Sequence, residues 1–226
     1  MTPTRLTRRF SSGREVAHGC VFLFERRRQQ ARRWLRWGLG AVVMLTMSGN
    51  LAAGGDMAAR ESSARKVSVA FMKELGGHLK GALAAGDPAA AIEVCSTVAP
   101  AIANRVSLKN GWRVTRVGTR PRNTMLGMAD AWEQAVLNQF QQRAGKGEKY
   151  ADMSFSEVVS EPDGRYFRFM KPIGVKPMCL QCHGSAEQIP PPTAAMLSKL
   201  YPNDRAVGYA AGDLRGAISV KQPLEP

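Results

Sequence analysis

Phe155-Ser-Glu-Val-Val-Ser-Glu-Pro-Asp-Gly-Arg-Tyr-Phe-Arg-Phe-Met170 is the stretch on which the fold turns. Two runs rich in β-branched and aromatic residues, 155–159 and 166–170, flank Glu161-Pro-Asp-Gly164, a turn by composition, so the stretch reads as a β-hairpin. Working outward, Trp112-Arg-Val-Thr-Arg-Val-Gly118 alternates like a strand, and Gly216-Ala-Ile-Ser-Val-Lys221 supplies a terminal one. Ahead of them the period lengthens. Residues 57–85 and 88–107 read as an antiparallel helix pair joined by Ala-Gly-Asp-Pro, with Asp87 as N-cap and Pro88 at the first helical position. Residues 130–143, with Trp132, Val136, Leu137 and Phe140, return to helical spacing, and Gln188-Ile-Pro-Pro-Pro192 reads as a local loop. Helices in front and antiparallel strands behind imply an α+β domain.

The chain has 226 residues, 44% of them apolar, and a net charge of +14. That is enough apolar material for a core, and four cysteines are too few for a disulfide-dense miniprotein. The charge suggests nucleic acid until it is located. Residues 1–36 hold ten arginines against Glu15 and Glu25, a net of +8. The remainder is mildly basic, without the clustered Lys/Arg face that tracks a phosphate backbone, so no nucleic-acid partner is expected. An uncharged stretch from 37 to 55 follows the arginines, with an apolar centre and a small-residue exit. Residues 1–55 therefore read as a signal peptide cleaved near Ala53, or as an uncleaved membrane anchor. Either way, residues 56–226 form the working domain and lie outside the cytoplasm, in the periplasm. Export removes Cys20 from consideration and leaves Cys95, Cys179 and Cys182.

Met178-Cys179-Leu-Gln-Cys182-His183-Gly184 carries the chemistry. Cys-x-x-Cys-His is the spacing of a c-type haem attachment site. Two thiols three positions apart each add to one vinyl group, and the adjacent imidazole reaches the iron. A chain of this composition contains the motif by chance on the order of one time in a thousand. A thioredoxin-like pair would open a helix after the first strand of a βαβ unit, whereas this motif sits late, after the Pro-rich approach Lys171-Pro-Ile-Gly-Val-Lys-Pro177. A zinc site would have only His78 and Cys95 left to complete it. A plain disulfide would make His183 accidental.

The second iron ligand has three candidates. Cys95 falls mid-stripe with Ile92, Ala99, Ile102 and Val106 on the second helix and faces the interior. A free Cys there is commonly a small buried hydrophobe, yet ligation as thiolate would also account for a lone exported thiol. His78 shares a face with Val67, Phe71 and Leu75 and is expected to point inward. The methionines, usual ligands in electron-transfer cytochromes, have no distinguishing context here.

Several further segments resemble a family of exported single-haem c-type domains with a PAS-like fold, typified by a cyanobacterial Tll cytochrome. These are Ala91-Ile-Glu-Val-Cys95-Ser-Thr-Val-Ala-Pro-Ala-Ile-Ala103, Arg120-Pro-Arg-Asn123, Ala131-Trp-Glu133, Phe169-Met-Lys-Pro-Ile173, Tyr201-Pro-Asn-Asp204 and Gly208-Tyr-Ala-Ala-Gly-Asp-Leu-Arg-Gly-Ala-Ile218. The resemblance covers roughly residues 60–222. It implies a PAS-like antiparallel sheet with N-terminal helices packed on it. It also implies one haem c bound covalently through Cys179 and Cys182, with His183 and Cys95 as axial ligands. The chain departs from the family pattern after Asn123, where Thr124-Met-Leu-Gly-Met-Ala129 replaces a proline-containing run. Arg120 and Arg122 are candidates to neutralise the haem propionates, the competing reading being solvated surface arginines. A thiolate ligand stabilises ferric iron and implies a low potential. The functional expectation is redox or small-ligand sensing of NO or CO, reported to a separate signalling protein. The alternative is periplasmic electron transfer with a redox partner. No acid–base constellation accompanies the iron, so enzymatic activity is not expected.

Overall fold

The computed structural model describes residues 39–224. The arginine-rich segment, and with it most of the export signal, lies outside the described residues. The chain divides into two units, Met1–Ala52 and Ala53–Pro226, and the site described below lies wholly in the second. Among the described residues, no helix is long and apolar enough to cross a membrane.

Four antiparallel strands form one sheet in the order β1-β4-β3-β2: β1 (Arg113–Val117), β2 (Phe155–Glu161), β3 (Gly164–Gly174) and β4 (Leu214–Pro223). The hairpin pairs Phe155 with Met170 and Glu161 with Gly164, leaving Pro162 and Asp163 as its turn. β4, the last element in the chain, inserts between β1 and β3.

Both faces of the sheet are covered, because β3 sends alternate side chains to opposite layers. Phe167 and Phe169 join Val114, Ile218 and Val220 against Phe71 and Leu75 of α1 (Leu39–Ala84) and Ile102 of α3 (Ala99–Asn110). Met170 and Ala217 face the other way, onto Val136, Leu137 and Phe140 of α5 (Ala131–Gly145). Each fully buried Phe or Leu contributes about 1.5–3 kcal/mol of transfer free energy. α5 starts where a capping box dictates: Asp130 accepts from the Glu133 amide at 2.8 Å, and Glu133 accepts from the Asp130 amide at 2.9 Å. The same two carboxylates, with Glu161, surround the buried Arg168 guanidinium, at 2.7 Å from Asp130 and 3.2 Å from Glu133. A buried cation is tolerable only with such compensation. The expected α+β class is observed.

Three local expectations differ. The second helix is not uniform. α2 (Pro88–Glu93), capped by Asp87 through a 2.8 Å bond from the Ala89 amide, runs into a π-helical turn at Val94–Val98 before α3 begins. Residues 190–192 are not merely loop, since Pro191 opens α7 (Pro191–Leu200). A missing N–H costs nothing in a first turn. His78 is exposed, not inward. The buried stripe of α1 runs through Ala64, Ser68, Phe71 and Leu75, and His78 lies to one side of its continuation.

At one end of the sheet, β1 and β4 approach more closely than side chains permit. Gly216 has φ +152°, and a Cβ on it would sit 2.1 Å from the Val117 carbonyl oxygen. Gly216→Ala is therefore expected to cost more than about 2 kcal/mol, read as a lowered denaturation midpoint.

Candidate functional site

After β3 the chain turns through a 3₁₀ segment, Pro177–Cys179, into the single turn α6 (Leu180–His183). At about 100° per residue, helical backbone puts Cys179, Cys182 and His183 on one side. All three line a cavity of about 740 Å³. Gly184 ends the turn by donating to the Leu180 carbonyl at 2.9 Å. A Cβ there would lie 2.6 Å from that same oxygen, so only glycine fits.

A second segment is fastened to this turn. The Gly208 amide donates to the Gly184 carbonyl at 2.7 Å and the Tyr209 amide to the His183 carbonyl at 2.9 Å. Arg122 completes the clasp. Its Nε donates to Asp204 at 2.9 Å, and its Nη2 donates to the carbonyls of Cys182 and Ala206. Asp204 in turn accepts from the Ala206 amide at 2.7 Å.

The imidazole is set by the same segment. His183 Nδ1 lies 2.7 Å from the Ala206 carbonyl oxygen. A carbonyl only accepts, so Nδ1 carries the hydrogen and Nε2 keeps a bare lone pair. Burial, then the nearby Arg215 and Arg122 guanidiniums, push the ring's pKa down to about 2, so it is neutral at any physiological pH. A neutral imidazole with its tautomer fixed by a backbone carbonyl is the arrangement of a metal-ligating histidine. Tyr209 packs edge-on against the ring, 6.2 Å between centroids.

The π turn supplies the wall carrying Cys95. The extra residue in that turn buries Val94 in the main core and leaves Cys95 half-buried along the cavity, beside Ala99 and Ala103. π turns inside helices recur at functional sites. Met72, Leu75 and Leu79 of α1 add an apolar side. The described cysteines are all unpaired. Among the described residues no three His, Cys, Asp or Glu side chains cluster as a metal cage. The sheet contains no parallel βαβ pair, which removes the thioredoxin reading. An apolar cavity within the usual 300–1,000 Å³ of cofactor sites, two free thiols and a neutral imidazole fit a haem.

The structure separates the two arginines singled out in the sequence. Arg122 reaches the cavity wall with its guanidinium committed to the clasp. Arg120 does not line this cavity; it stacks 3.6 Å over the Tyr209 ring and donates to the Val207 carbonyl at 2.9 Å. It lines a smaller pocket of about 310 Å³ instead. His78 is absent from the cavity wall, whereas Met72 and Met178 are on it. Arg116 and Arg215 also line it and were not singled out from sequence. Arg116 shares its face of β1 with the core residues Trp112 and Val114, a period-two signal that the strand assignment alone did not use.

A four-stranded antiparallel sheet with helices on both faces and a helical Cys-x-x-Cys-His turn opening on a cavity describes the class. The chain belongs to the Tll0287-like family, whose model (Tll0287) matches residues 37–223. Among solved structures, it is similar to the crystal structure of the cyanobacterial heme-protein Tll0287. The identity is 27% and the TM-score 0.52, over 69% of this chain and 91% of that one. Curated proteins offer no match.

Two outcomes are expected. Arg122→Ala leaves the largely enclosed Asp204 carboxylate without its cation and takes a donor from the Cys182 carbonyl, and should cost about 3–5 kcal/mol in urea unfolding. The second concerns acid. An unfolded histidine protonates near 6.5, whereas folded His183 stays neutral down to about 2. The stability held here is thus present above pH 6.5 and drains as pH falls towards 2. Unfolding midpoints measured over this range should show a shallower acid slope in His183→Asn.

Proposed function

We propose that this chain is an exported single-haem c-type cytochrome that senses redox state or a diatomic gas such as NO or CO. Cys179 and Cys182 attach the porphyrin, and His183 and Cys95 hold the iron. The observation that carries the reading is the His183 ring, neutral and locked through Nδ1 on Ala206, on a cavity that Cys95 also lines. Membership of the Tll0287-like family and likeness to a heme-protein support it. A haem bound there supplies one-electron chemistry and, with a coordination position free, a site for a diatomic ligand.

The residues divide the work. His183 keeps its orientation through the clasp, so its side of the iron stays fixed. Cys95 sits half-buried on a π turn, outside the sheet. With a haem in this cavity, a thiolate from Cys95 would favour the oxidised metal and lower its potential, so that reduction would weaken this ligand. Sensing of this kind, in the periplasm, is read out by a separate protein. If Cys95 instead stays bound in both states, the same ligands make a low-potential electron carrier, the alternative function.

Spectra test this. Holoprotein matured in a host with cytochrome c assembly machinery should keep its colour after acidic solvent extraction, and Cys179→Ala/Cys182→Ala should not. Cys95→Ser should lose the low-spin thiolate EPR signature and raise the midpoint potential. A mutant spectrum identical to wild type removes Cys95 from the iron. Rapid CO binding by the reduced wild type supports sensing; persistent low-spin coordination that excludes CO assigns the carrier role.

A further inference from the structure

The cavity wall is over-supplied with positive charge. Arg116, Arg122 and Arg215 all line it, and the one carboxylate within hydrogen-bond reach, Asp204, is taken by Arg122 at 2.9 Å. Among the described residues, neither Arg116 nor Arg215 forms an ion pair. Arg116 donates no side-chain hydrogen bond there at all, and Arg215 makes one long bond, 3.4 Å, to the Arg120 carbonyl, beside a face-on contact with Tyr209 at 5.5 Å. Both are half-buried, and this partial removal from water lowers the pKa of each. Two guanidiniums are therefore left for a ligand with two negative charges. Gly118 and Gly216, also on the wall, put no side chain between them. The other cations lining the cavity, Lys73, Lys80 and Lys176, are exposed and solvated by water, so they demand no partner. Cys95 and Tyr201 are the titratable neighbours that remain.

We propose that Arg116 and Arg215 receive the two propionate carboxylates of the haem, and that Arg122 is a positioning residue that holds the attachment turn. This rests on the haem reading of the same cavity. The assignment follows from matching charge: a planar fork of donors suits a carboxylate, and two such forks stand free.

The test uses covalently loaded holoprotein and follows the midpoint potential with pH. In wild type both propionates stay ionised beside guanidiniums, and the profile is flat from about pH 5 upward. In Arg116→Gln or Arg215→Gln one carboxylate loses its cation and its pKa rises. The potential should then be lower at high pH and climb as pH falls, with a one-proton slope between about pH 5 and 7. Arg120→Gln, outside the lining of this cavity, should keep the flat profile. The low-spin EPR spectrum should stay unchanged in Arg116→Gln; an altered spectrum assigns Arg116 to the thiolate and overturns its role here. Flat profiles in both Gln variants, or a slope in Lys73→Gln or Lys80→Gln instead, overturn the proposal. Where a Gln variant does not accumulate, the Lys variant replaces it: a single point donor should place a weaker slope at lower pH, and a wild-type profile counts against that arginine. Protein that carries no covalent haem fails the functional reading itself, whereas loaded protein with unaffected profiles fails only this assignment.

Discussion

The Ala206 carbonyl is where the site is held. It accepts from His183 Nδ1 at 2.7 Å and from Arg122 Nη2 at 3.3 Å, so one backbone oxygen fixes both the imidazole tautomer and the guanidinium that braces the Cys182 carbonyl. Residues 204–209 lie far from 182–184 in the chain, and without them α6 is an isolated single turn, too short to persist. The Arg122 bonds are charge-assisted and contribute about 1.5–3 kcal/mol each, enough to order a short turn that has little core of its own. Chemistry at His183 thus depends on a peptide group more than twenty residues away.

Around that anchor the protein tolerates unfavourable features at one end of the sheet. Three buried or half-buried arginines, a π turn and a glycine at φ +152° gather there, while the rest of the sheet is packed on both faces. Such strain is affordable only where the surroundings over-determine the backbone. The contrast with Arg168 is instructive. That cation is more deeply buried, but carboxylates from α5 and β2 close around its terminal nitrogens, so its charge is balanced within the fold. Arg116 and Arg215 have no such closure.

Much of the fold was legible in the chain. The hairpin from Phe155, the Asp87 cap and the helical spacing of Val136, Leu137 and Phe140 all appear where local pattern put them. These signals live within a single element and are decided by backbone geometry over a few residues. The failures are of another kind. His78 had the right spacing on α1 but sits beside the continuation of its buried stripe, because what a helix buries is set by its neighbours. The π turn left no mark in the helical period, since one inserted residue is invisible to a stripe of five positions. Residues 190–192 read as loop because proline's ease in a first turn matters only once a helix follows.

The sequence by itself determined the four strands, the long helices, the Asp87 cap, and the spacing that puts Cys179, Cys182 and His183 on one side of a helical turn. Tertiary structure alone decided that β4 runs between β1 and β3, that Cys95 lines the same cavity as His183, and that Arg116 and Arg215 face this cavity while Arg120 turns away. The physical reason is range. Periodicity and capping are settled by bonds between near neighbours. Burial, charge balance and the orientation of an imidazole depend on which distant segments arrive beside it.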